Sequence, residues 1–219
     1  MLGSPYALRC TAVLAAALLT GCQGSSNGGG VPVSVKGLAE MADKVGPHGV
    51  DTCPLPYDFA KAVSAAKIAG EAGPGPAPGG TDESTATATA ENGYEADEDA
   101  PFADNPGALV SCWFHVGGQA VEVHLIAAEK PQPEYLLAPL LVEVSGQDVE
   151  AINSYLRRTG KGEPGHPVLG TTGDYATVRV KPDGKGHAAL LLTLGDASTD
   201  RFDEEQLKAL SRALYRQIS

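Results

Sequence analysis

The chain reads as an α+β domain: an antiparallel β-sheet built from two hairpins, helices packed mainly on one face, and one disulfide. Three observations predict it. Two pairs of alternating apolar runs each surround a turn sequence, segments with helical periodicity stand before, between and after them, and two cysteines remain for pairing in the body of the chain.

From Ser34 the residues Val35, Leu38, Met41, Ala42 and Val45 recur at intervals of three and four, with Ser34 placed as N-cap and Gly46-Pro47 as a stop. Cys53-Pro54 leads into a second helix whose inner residues are Phe59, Val63, Ala66 and Ile68, with Asp58 as its cap and Gly70 as its end. Residues 71–106 are dense in Pro, Gly, Thr and acid and almost free of large apolar side chains. They read as a disordered acidic insert, because they bury too little surface to offset the entropy of ordering them. The acid spacing there fits no calcium loop.

Order resumes at "ALVSCWFHVGGQAVEVHLIAAE", two alternating runs about Gly117-Gly118. A two-residue loop pairs Val116 with Gln119, Phe114 with Val121 and Cys112 with Val123, so Cys112 points into the core. The stretch Leu136–Val144 is apolar, and its pattern leaves helix and strand open. Ser145-Gly146-Gln147-Asp148 resembles a capping box, and Val149, Ile152, Tyr155 and Leu156 mark a helix that ends near Gly160. Residues 161–173 read as a loop. "YATVRV" and "HAALLLTL" form a second hairpin across Pro182-Asp183-Gly184. A last helix, capped at Asp200, carries Asp203, Glu204 and Glu205 in its first turn and turns Phe202, Leu207, Leu210, Leu214 and Ile218 inward.

Before this body, residues 10–19 form an apolar run far shorter than the ~20 residues a spanning helix needs. Leu19-Thr20-Gly21-Cys22 closes that run and "QGSSNGGG" follows it. This stretch resembles the lipobox of bacterial lipoproteins. The resemblance implies that residues 1–21 are a signal peptide, that Cys22 carries a diacylglyceryl group and becomes the first mature residue, and that 22–33 are a flexible tether to the domain at 34–219. Two acyl chains at about 0.8 kcal/mol per buried CH₂ hold a protein on a membrane. The expected location is the extracytoplasmic face of the cell membrane.

An exported chain matures in an oxidising setting, so Cys53 and Cys112 are expected to form a disulfide that clamps a helix to the sheet. A thiolate metal site lacks a second pair of ligands at useful spacing. The formal net charge is −11, and residues 70–107 hold nine acidic residues without a Lys or Arg. No nucleic-acid partner is therefore expected. Arg157, Arg158 and Lys161 make a small basic patch beside a helix end, few charges for lipid headgroups.

On the face opposite Cys112 stand Trp113, His115, Glu122 and His124, the candidate ligand or partner face. The register places the two histidines about 13 Å apart along the ladder, so one metal ion does not bind both. Helix cover is the expected environment of Trp113. Gly170-Thr171-Thr172-Gly173-Asp174 lacks the Lys-Ser/Thr and following helix of a phosphate loop and reads as a turn. No G-x-S-x-G, H-E-x-x-H, C-x-x-C or S-x-x-K occurs.

The order of parts is lipobox, a Cys before a helix, a loose insert, Cys112-Trp113 on a strand, a Gly hairpin, a Gly-Asp turn and a final helix. It resembles small lipoproteins of unknown function from high-GC Gram-positive bacteria, and the resemblance implies no activity. The expectation is a membrane-anchored binding or interaction module, without cofactor, whose partner is an envelope protein or small ligand. A lipoprotein enzyme acting on the cell wall, with Asp174 and Glu122 converging in a cleft, is the alternative of a different class, and a structural envelope component is a third.

Overall fold

The computed structural model describes residues 33–45, 48–76, 84–91, 102, 104–195 and 202–219. Cys22, the apolar leader and nearly all of the tether lie outside them. Among the described residues the fold is α+β: five helices and an antiparallel sheet of seven strands, in the order β1 (Ala72–Pro74), β3 (Gly107–Val116), β4 (Gln119–Ala128), β7 (His187–Leu194), β6 (Tyr175–Val180) and β5 (Pro167–Leu169), with β2 (Ala86–Glu91) also paired to β3.

The centre of the sheet is the first hairpin, β3 (Gly107–Val116) and β4 (Gln119–Ala128). Its register pairs Val116 with Gln119, Phe114 with Val121 and Cys112 with Val123, as the alternation about Gly117-Gly118 dictates. Gly117 has φ +57, a left-handed conformation that the tight turn imposes. β6 (Tyr175–Val180) and β7 (His187–Leu194) form the second hairpin, and β7 joins β4 along its full length.

Both edges of this four-stranded centre are covered by short strands that the sequence reading missed. β1 (Ala72–Pro74) and β2 (Ala86–Glu91) lie end to end along β3, inside the segment assigned to a disordered insert. The reason is visible in "ATATAE": Thr87 and Thr89 face outward, while Ala86 is buried and Ala88 and Ala90 pack inward. Small side chains give β2 little apolar area of its own. It is held by ladder hydrogen bonds to β3, and it removes the exposed edge that β3 would otherwise present. The expectation of disorder over 71–106 therefore fails for these residues; positions 77–83, 92–101 and 103 lie outside the described residues. On the other side β5 (Pro167–Leu169), placed in a loop by composition, pairs with β6.

One face of the sheet packs against α1 (Val35–Val45), α2 (Phe59–Ala65) and α5 (Glu204–Tyr215). Val110, Cys112, Phe114, Val123, Leu125, Leu190 and Leu192 supply the strand side of that core. Ser34 caps α1 by accepting from Gly37 N at 2.9 Å, and Asp58 caps α2 by accepting from Lys61 N at 2.9 Å. In α5 the cap is Asp203, not Asp200: its carboxylate accepts from Gln206 N and the Gln206 side chain accepts from Asp203 N, a reciprocal capping box.

The Cys53–Cys112 disulfide joins the approach to α2 to the middle of β3, with Cα atoms 5.5 Å apart. Beside it the rings of Phe59 and Phe114 stack at 4.3 Å between centroids. Bridge and ring pair together fasten α2 to the sheet.

The second face carries a smaller core of Ile126, Ala189, Leu191 and Tyr175 under α3 (Ala138–Ser145) and α4 (Val149–Thr159). The apolar stretch of unsettled type is the end of a 3-10 turn (Pro133–Leu137) followed by α3, with Pro139 in the first turn where its missing N–H costs nothing. Ser145 ends α3 rather than capping α4: its hydroxyl donates to Leu141 O, and Gly146 takes φ +62. Asp148 caps α4 by accepting from Ala151 N, so Val149 stands at the first helical position and is 62% exposed, not inward. Tyr155 packs edge-on against Tyr175 and shares a hydrogen bond with Thr177 at 2.7 Å. No helix among the described residues is long and apolar enough to cross a membrane.

Candidate functional site

The four residues singled out on the β3–β4 hairpin share one face but not one environment. His124 is only 3% exposed; its Nδ1 lies 2.8 Å from Ser111 Oγ on the neighbouring strand, and its Nε2 lies 3.3 Å from Glu122 Oε2. His115 is half-buried and turns the other way, over Gly73 of β1, with Nδ1 3.3 Å from Gly75 O. Trp113 is half-buried and, among the described residues, belongs to neither core. Asp174 precedes β6 and Glu122 lies on β4. With β7 between them, a separation of about 10 Å follows from strand spacing, and the two carboxylates do not form a pair.

Ser111, His124 and Glu122 stand in the sequence nucleophile, base, acid. The geometry gives this relay a structural use. Ser111 is 7% exposed and pairs directly with His124 in the ladder, and its hydroxyl lies 2.8 Å from His124 Nδ1, so it is committed within the sheet. Among the described residues no three His, Cys, Asp or Glu side chains are grouped to hold a metal ion.

The convergent chemistry lies elsewhere, at the opposite end of the second hairpin. A cleft of about 360 Å³ lies at the ends of β6 and β7, between them and the 3-10 turn and the end of α4, with Lys181, Pro182 and His187 among its lining residues. Gln132, Glu134 and Arg179 open into it. The volume falls at the small end of the range for ligand sites.

Three features set this cleft apart from ordinary surface. Glu134 is 3% exposed, and its burial pushes the carboxyl pKa up against the opposing pull of its own backbone N–H, of Arg179, of Thr159 and of His187. Thr159 Oγ1, 3.4 Å from Glu134 Oε1, already donates to Leu156 O at 2.8 Å. The same hydroxyl is placed to donate to Glu134 Oε1, which is how Thr159 opposes the upward shift. Gln132 has φ +63, a left-handed conformation rare for a residue with a side chain and rarer before proline. Its amide packs over Gly160, where an added Cβ would stand 2.6 Å from Nε2.

Arg179 is the third feature. Its Nη1 donates to Gly162 O at 2.8 Å, and its own carbonyl accepts from Gly165 N, so the α4–β5 loop fixes it in place. A larger groove of about 910 Å³ runs between α1 and the ends of β3 and β4. Its charges are of both signs, Lys36 and Lys185 against Asp43, Glu129 and Asp183, and none of them is buried. The smaller cleft is therefore the better-built site.

A raised folded-state pKa means that the native protein keeps a proton which the unfolded chain releases in the ordinary carboxylate range. Stability from this group is thus full at acid pH and falls as pH rises through the folded-state value. Glu134→Gln keeps the shape and removes the ionisation. Its stability relative to the parent is expected to improve as pH rises above the ordinary carboxylate range, read from Tm; a difference constant across pH would contradict the assignment.

None of Glu134, Arg179, His187 and Gln132 stood out in the sequence, where they are scattered over more than one turn and two strands. Only Pro131-Gln132-Pro133 carried a local signal, a residue held between two prolines. Comparison with family models, with curated proteins and with solved structures returns no match for this chain.

Proposed function

We propose that the chain is a lipid-anchored extracytoplasmic lipoprotein whose α+β domain binds a ligand or partner through the cleft at Glu134, Arg179 and His187. The observation that carries the binding half is the cleft itself: a fixed guanidinium and a buried carboxyl converge on a small cavity. The Cys53–Cys112 bridge agrees with an oxidising compartment. Leu19-Thr20-Gly21-Cys22 supplies the sequence for the anchor. The test is fractionation of the native host: the parent chain partitions with membranes and Cys22→Ala does not, while equal recovery of both in the membrane would remove the anchor. Affinity capture from native envelope with the parent chain, and with Arg179→Gln beside it, reports on the cleft.

A second reading, a hydrolase, is favoured by the Ser111–His124–Glu122 relay. Burial of Ser111 argues against it. A fluorophosphonate probe is expected to leave Ser111 unmodified in the folded chain; stoichiometric labelling there would make the relay catalytic.

A further inference from the structure

We propose that the cleft binds a small organic carboxylate with an apolar body, the carboxylate seated on Arg179 and the body against the proline walls. The proposal rests on the reading of this domain as a binding module and names the ligand class for it.

Charge is the first argument. In a chain of net charge −11, the cleft presents Arg179 and Lys181 against a single acid, Glu134. That carboxyl is buried against the Thr159 hydroxyl, 3.4 Å away, and burial pushes its pKa up. Arg179 gives its hydrogen bond to Gly162 O rather than to this carboxyl. The field of the cleft is cationic.

Arg179 supplies the geometry. A guanidinium has five N–H donors in a planar fork, and one hydrogen bond, from Nη1 to Gly162 O, holds its orientation. The remaining donors match the two oxygens of a carboxylate.

The walls decide between a carboxylate and a phosphate. Phosphate sites are made from convergent backbone N–H groups at helix N-termini and nests. Here Pro131, Pro133, Pro164 and Pro182 line the cleft, and proline has no N–H to give. The helix end that reaches the cleft, at Gly160, is the C-terminus of α4, which offers carbonyls. A phosphate would have to draw on the side chains of Lys181 and Gln132 besides Arg179, whereas a carboxylate is satisfied by the Arg179 fork alone. The same prolines are rigid apolar surfaces that lose no rotamer freedom on contact, so they favour an apolar ring or short aliphatic body.

Phenylacetate is the probe, with phenylacetamide as its neutral counterpart and inorganic phosphate as the competing anion, each titrated into the purified full chain and followed by NMR shifts of cleft residues. Phenylacetate is expected to bind in the cleft, and Arg179→Gln to weaken it at least about tenfold, equivalent to about 1.4 kcal/mol. Phenylacetamide is expected to fall by a similar factor, and Lys36→Gln, in the other groove, to leave binding unchanged. Arg179→Lys keeps the charge without the fork and is expected to lie between the parent and Arg179→Gln; unchanged Tm in both variants confirms intact folding. Equal binding of acid and amide, tighter binding of phosphate, or no shift in the cleft with phenylacetate would each overturn the proposal. A protein captured from native envelope equally by the parent and by Arg179→Gln would overturn the carboxylate site and leave the binding module standing; loss of all capture together with retained phenylacetate binding would do the reverse.

Discussion

Replacing Cys53 and Cys112 together by alanine is expected to lower the unfolding free energy by about 4 kcal/mol, the chain-entropy value for a bridge between residues 59 apart in sequence. Against the ~5–15 kcal/mol that holds a typical domain together, this is a large share. The bridge spans the whole stretch that carries α2, β1 and β2, so its removal frees that stretch in the unfolded chain. It also frees α2 from the sheet in the native state, because Cys53 stands before the helix and Cys112 is fully buried on β3. The measurement is urea unfolding of the double variant, and of the parent with and without reductant. A loss under about 1 kcal/mol would show that packing alone fastens α2.

Phe59→Ala is the second large effect, about 3–5 kcal/mol. Phe59 is buried on α2 with its ring parallel to that of Phe114, itself buried on β3. Truncation therefore removes a stacked partner and leaves a cavity between helix and sheet, where neither side collapses freely while the disulfide sets their distance. Because ring pair and bridge fasten the same two elements, their losses are not expected to add. In the chain lacking the bridge, α2 shifts to fill the void and Phe59→Ala costs less. Equal costs in the two backgrounds, from the same urea titrations, would contradict this coupling.

The parts legible in the sequence are those in which local pattern and tertiary burial ask for the same thing. Gly117-Gly118 sets the pairs of the β3–β4 hairpin, and its alternation puts Cys112 under α2; Asp58 caps a helix whose inner residues face that strand. Where the two demands separate, the pattern misleads. "ATATAE" alternates like a strand, yet its inward residues are alanines, so composition suggests a solvated segment and only the open edge of β3 makes it a strand. Ser145 and Asp148 both suit an N-cap, and the end of α3 at Gly146 decides for Asp148. Asp200 and Asp203 compete in the same way, and Gln206 decides for Asp203 by bonding back to it.

The cleft was out of reach for a different reason. Glu134 comes from a turn, Arg179 from β6 and His187 from β7, and the three meet only because β6 and β7 run to the end of the sheet where the 3-10 turn crosses it. Singly, each is an unremarkable charged or polar residue. The hairpin face of Trp113, His115, Glu122 and His124 drew notice because its polar residues are neighbours in sequence. Register does place them together, and burial then commits Ser111 and His124 to each other within the sheet.

The measurement that tests the account most directly is the intact mass of the full chain extracted from membranes of its native host without reductant. The predicted mass is that of a polypeptide beginning at Cys22, increased by a diacylglyceryl group and lowered by two hydrogens for the Cys53–Cys112 bond. A polypeptide with residues 1–21 retained and all four thiols free would contradict both the anchor and the compartment.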